Sequence, residues 1–143
     1  MYAPDTVTVF NAAAGEVWAT VLRGVFLEAS AGAEAQRSGM GSESAARLFI
    51  PFAARAEDPA SGAEREYLPP REYERCEDRG GYWTLTPEGE GSAADCWFIK
   101  GVWPEAESYG RMRGTADGVF RVTAVTARDY GSPELRHWEV RGA

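Results

Sequence analysis

Phe120-Arg-Val-Thr-Ala-Val-Thr-Ala127, Arg128-Asp-Tyr-Gly-Ser-Pro-Glu-Leu-Arg136 and His137-Trp-Glu-Val-Arg-Gly-Ala143 follow one another and decide the fold. The outer runs are rich in Val, Thr and aromatic residues, which suit a pleated, half-buried surface. Between them Asp129, Gly131, Ser132 and Pro133 all favour turns. The last run alternates, with Trp138 and Val140 on one face and His137, Glu139 and Arg141 on the other, because successive strand side chains point to opposite faces. The pattern predicts a hairpin whose second strand is woven into a sheet.

Upstream the same grammar repeats. Asp5-Thr-Val-Thr-Val-Phe10 alternates Val with Thr and predicts a strand, with a turn over residues 11–15. Residues 17–29 form a long apolar run that reads as a second, antiparallel strand bent at Gly24. Residues 30–45, dominated by Ala, Gly, Ser and Glu, predict a mobile loop that orders on a partner. Arg47 to Phe52 predicts a short strand that Pro51 ends or confines to an edge. Residues 53–66 read as another polar loop. Pro69 and Pro70 open a two-turn helix over residues 71–79, closed by Gly80 and Gly81. Residues 82–87 and 95–103 predict two more strands, the latter the most buried, and Pro104 starts a second short helix. The fold class expected is mainly β: a small antiparallel β-barrel or sandwich with one or two short helices and long loops, in a single β-rich domain spanning residues 1–143.

A chain of 143 residues with 44% apolar content can bury a core without metal or disulfide staples. Mean hydropathy is −0.38, and no run approaches the ~20 apolar residues of a membrane-spanning helix. Met1-Tyr-Ala-Pro-Asp5 lacks the basic start and apolar run of a secretory signal, so no export by the general route and no membrane partner are expected. The net charge of −7 argues against direct binding of nucleic acid, which needs concentrated Lys and Arg; Arg111, Arg113, Arg121 and Arg128 are too sparse for a phosphate track. Two cysteines make no disulfide framework. Cys96 reads as a small core residue, Cys76 as one open to solvent.

Catalytic patterns are weak throughout, and no catalytic, cofactor-binding or metal site is assigned. His137 is the one histidine and sits in a strand, not beside a nucleophile motif. Glu88 with Glu90, and Glu105 with Glu107, are sequence neighbours rather than carboxylates facing across a cleft. The run from Glu88 to Asp95 lacks the spacing of a calcium loop, and Gly39-Met-Gly41 does not continue as a phosphate loop. Two alternatives stay open: a carbohydrate-type ligand-binding β-module, which would stack sugars on exposed planes among the five tryptophans and six tyrosines, and a hydrolase using a carboxylate pair, which would need a concave site.

Four stretches together resemble small phage and prophage proteins of the head–tail connector gene cluster: residues 5–11 with the Trp18-containing strand; Leu48-Phe-Ile-Pro51; Asp95-Cys-Trp-Phe-Ile-Lys-Gly101; and Val122-Thr-Ala-Val-Thr126 with residues 129–140. The resemblance implies a structural head-completion, stopper or tail-joining protein. It would be made in the bacterial cytoplasm and carried in the virion. Its partners would be neighbouring copies in a ring and adjoining connector or tail proteins, with DNA contact at most indirect. On that reading the contact segments are residues 30–45, 53–66 and 110–118. The Ala/Gly richness of residues 30–45 and the helix near residues 71–79 depart from the pattern.

Overall fold

Gly24 lets one strand serve two neighbours. Its φ of +79° lies in the left-handed region that favours glycine, and it bends β2 (Glu16–Ala29) in the middle. Ahead of the bend β2 pairs antiparallel with β1 (Asp5–Ala13), as in Phe10 opposite Ala19. Beyond it, Phe26 to Ala29 pair with β3 (Ala46–Pro51). The computed structural model describes residues 3–13, 15–29, 46–87, 95–103 and 118–143.

The remaining main strands are β4 (Arg55–Glu57), β7 (Asp95–Lys100), β8 (Val119–Arg128) and β9 (His137–Gly142). Neighbours run β1-β7-β8-β9-β3-β2, and the β1–β2 pairing closes the ring, while β4 lies along β2. The strand pairs of this ring are all antiparallel, so the fold is a closed antiparallel barrel. Alternation fills it: Val7, Val9, Leu22, Val25, Leu48, Ile50, Cys96, Phe98, Phe120, Val122 and Val140 are buried in one cluster. Gly142 permits closure. A Cβ there would lie 2.7 Å from the Phe98 ring and 2.8 Å from the Phe120 Cβ.

Register places the strand ends at two mouths. Ala13, Glu16, Asp95, Arg128 and His137 belong to one; Asp5, Ala29, Ala46, Lys100, Val119 and Gly142 belong to the other. An insert between β4 and β7 caps the first mouth. It contains β5 (Glu66–Tyr67), α1 (Pro70–Arg75) and β6 (Tyr82–Trp83), with β5 and β6 paired in parallel. Trp83 and Leu85 join the barrel core. Tyr67, Trp83 and Trp138 stack mutually, with ring centroids 4.5–5.6 Å apart.

The insert departs most from expectation. Residues 53–66 are not a solvated loop: Ala56 is buried in β4, and Arg65 reaches into the protein. The helix stops at Arg75 because Cys76 turns extended and Asp78 caps a separate 3-10 turn, its carboxylate accepting from the Gly80 N–H at 3.2 Å. Only Tyr82 and Trp83 of residues 82–87 are in a strand. The expected turn at residues 11–15 starts later, since β1 runs on to Ala13. Asn11 is held there by bonds to residue 84: its Nδ2 donates to the Thr84 carbonyl at 2.9 Å, and its Oδ1 accepts from the Thr84 N–H at 3.3 Å. The expected loop at residues 30–45 and the helix from Pro104 lie outside the described residues.

Candidate functional site

The second mouth gathers the segments expected to make contacts. Ala29 and Ala46 are direct partners across β2 and β3, so residues 30–45 leave and return at one point of this rim. Ile99 and Val119 are likewise partners across β7 and β8 and bracket the segment that contains residues 110–118. Of those two segments only Gly118, with φ +76°, lies within the described residues. The third expected contact segment, residues 53–66, sits instead on the flank near the capped mouth.

Short polar side chains fasten this rim. Thr8 Oγ1 donates to the Gly101 carbonyl at 2.8 Å and accepts from the Trp103 N–H at 3.0 Å, while the Gly101 N–H donates to the Thr6 carbonyl. Asp5 accepts from the Leu27 N–H at 2.9 Å and lies 3.8 Å from the Lys100 ammonium. Arg121 and Ala143 exchange two backbone hydrogen bonds, of 2.9 and 3.0 Å. The strand ends at this rim are thus fixed by the barrel itself.

Outward residues of β2, β3 and β9 add an aromatic row: Phe26 and Phe49 are 6.0 Å apart, as are Phe49 and His137. Beside it Arg47 stands opposite Arg141 across β3 and β9. Across β2 and β3 Arg47 also faces Glu28, which offsets the like charges of Arg47 and Arg141.

At the capped mouth the polar chemistry serves the fold. The Arg65 side chain, only 2% exposed, bonds Asp58, the Ala19 carbonyl, Thr20 Oγ1 at 2.9 Å and the Gly80 carbonyl at 3.0 Å. Arg79 donates to the Tyr73 and Glu74 carbonyls, sits 3.6 Å from Glu16 and lies over the Tyr73 ring. Asp58 is held below the usual carboxylate range by the Ser61 N–H first, then by Ala60 and Arg65, against the opposing effect of burial. Glu57 is lowered mainly by its bond from Arg23. Burial pushes the Tyr73 hydroxyl well above the usual tyrosine range.

The sequence candidates disperse. His137 Nδ1 lies 2.9 Å from the Leu135 carbonyl, and its ring faces Phe49 rather than a serine or a carboxylate. Cys96 is fully buried beside Asn11, its thiol pushed up to about 12 by burial; Cys76 is half-buried, and both are free. Arg121 pairs with Asp95, and Arg128 with Glu139. Trp83 is core and Trp138 stacks on it; Trp97 and Trp103, both half-buried, pack on the cluster of Phe10, Ala19 and Ile99, and Trp18 lies beside Arg65. Glu88, Glu90, Glu105, Glu107, Arg111, Arg113 and residues 39–41 lie outside the described residues. Among the described residues no three His, Cys, Asp or Glu converge on a metal-sized point, and no helix is long and apolar enough to cross a membrane. A shallow recess of about 300 Å³ is lined by Ala53, Ala54, Arg55, Ala56, Glu64 and Arg65.

Against this geometry, the profile of one family matches residues 2–143: a family of unknown function, DUF6751. The chain belongs to that family. Neither a curated protein nor a solved structure matches it. The match spans barrel, insert and rim alike. Sequence reasoning missed Arg65, Arg79 and Asn11. Glu64-Arg-Glu66 reads as a solvated charge run, and an asparagine after a strand reads as a turn. The paired ends of residues 30–45 were legible in part, since two strands flanking a polar stretch is how a strand-to-strand excursion looks in sequence.

Proposed function

We propose that the protein is a structural phage or prophage component, a head–tail connector of the stopper, head-completion or tail-joining type, acting through ring assembly and protein contacts. The observation that carries this reading is the shared rim: two long segments spring from adjacent, already paired strand ends of one closed barrel. Such a barrel keeps its shape while the segments at one mouth engage a neighbour. Acidity fits a subunit that stays dispersed until it meets its partner.

The test is mass spectrometry of purified particles made by the phage or induced prophage that encodes the chain. The expected result is a low, fixed copy number relative to the major capsid protein. Absence from intact particles, with expression confirmed in the lysate, overturns the reading.

A further inference from the structure

The hydrogen bonds of two enclosed side chains in the cap, Arg65 and Tyr73, do not add up. A guanidinium carries five N–H donors and no acceptor. Arg65 Nε donates to the Gly80 carbonyl, Nη1 uses both protons on the Ala19 carbonyl and Thr20 Oγ1, and Nη2 gives one to Asp58. The second Nη2 proton has no acceptor among the described residues, although the side chain is only 2% exposed. Tyr73 is fully enclosed, and its Oη has no partner among the described residues either.

The two orphans share one neighbourhood. Arg79 Nε bonds the Tyr73 carbonyl and its guanidinium lies 5.7 Å from the Tyr73 ring centroid, while the next residue, Gly80, is the acceptor for Arg65 Nε. Arg65 and Tyr73 also act on each other electrostatically. A buried donor left without a partner forfeits its hydration, and buried tyrosine hydroxyls normally find one. What is missing between these two donors is an acceptor. A water molecule accepts two bonds and has two protons to give, and the Gly80 carbonyl keeps a second lone pair for one of them. No excess of positive charge calls for an anion instead: Asp58 pairs with Arg65, and Glu16 lies 3.6 Å from Arg79.

We propose that the cap holds one internal water molecule, which accepts from Tyr73 Oη and from the second Nη2 proton of Arg65. Tyr73 belongs to α1, and Arg65 reaches Ala19 and Thr20 of β2. The water therefore ties the helix to the barrel through Arg65, where no direct bond does so. This inference does not rest on the connector reading, and either can fail alone.

The test has two independent readouts on the full chain. A high-resolution crystal structure is expected to show water density within bonding distance, about 2.6–3.2 Å, of both Tyr73 Oη and Arg65 Nη2. In denaturant titration Tyr73→Phe, which keeps the ring and removes only the hydroxyl, is expected to lower the folding equilibrium constant roughly fivefold, because a satisfied bond is lost. The sign is decisive: were the hydroxyl bare, its removal would leave the protein equally or more stable. A dry site, a protein group in place of the water, or a Tyr73→Phe variant at least as stable as wild type would overturn the proposal.

Discussion

One mouth of the barrel is closed by the insert, and at the other two pairs of neighbouring strand ends bracket long stretches of chain. At the first, Tyr67, Trp83 and Leu85 are driven into the core, and two buried arginines stitch the insert to β2 and to itself. At the second, polar segments leave strand ends that are already paired with one another. On the proposed reading, stability and recognition fall to different ends. Damage at the capped mouth should unfold the protein, whereas shortening a segment at the rim should leave it folded.

The largest effect is expected at the cap. Trp83→Ala removes a buried ring that both Tyr67 and Trp138 touch, and should cost about 3–5 kcal/mol in denaturant unfolding. Arg65→Met comes next, at about 3–5 kcal/mol, because it strands Asp58 and the Ala19 and Gly80 carbonyls at once. If Arg65→Met is neutral, the insert is not pinned by that residue and the contrast between the mouths weakens. At the rim Gly142→Ala should cost about 1–3 kcal/mol, since the new methyl meets both Phe98 and the Phe120 Cβ. That is a packing penalty, so it should appear in stability and equally in any function that needs a folded barrel.

Acid sharpens the comparison more gently. Asp58 is depressed in the folded state, so its contribution is fully present above the unfolded carboxyl value of about 3.9. It is lost as pH falls through the lower folded value, because the unfolded chain takes up the proton first. Unfolding midpoints should therefore drop below about pH 4, and Asp58→Asn should flatten that slope. The smallest readout is chemical. With a thiol reagent at neutral pH, Cys76 should label in the native protein and Cys96 only on unfolding, since a thiol near 12 has almost no thiolate. Fast labelling of both would mean that the cap opens readily.

β1 and β8 were legible as runs of Val and Thr with an aromatic residue, β3 and β7 as short apolar runs, and Gly24 marked the bend in β2, the longest strand. The closing hairpin was clear down to the faces of Trp138 and Val140. The insert was not, for a physical reason. Its polar hold on the barrel comes from Arg65 on the Ala19 carbonyl and Thr20, from Arg79 beside Glu16 and from Asn11 on the backbone of Thr84, and such bonds leave no periodicity. Residue 65 between two glutamates looks solvated whichever way it points. The rim was half legible: polar stretches stood out, but that two of them share one mouth follows only from the strand order.

The most direct test of this division is to replace residues 34–44 by a short turn and follow both folding and incorporation into particles. Ala29 and Ala46 are already partners, so a tight connection closes the gap without straining β2 or β3. The account predicts a thermal transition within a few degrees of wild type, together with loss of the chain from purified particles. A variant that unfolds, or one that folds and is incorporated at the wild-type level, would contradict it.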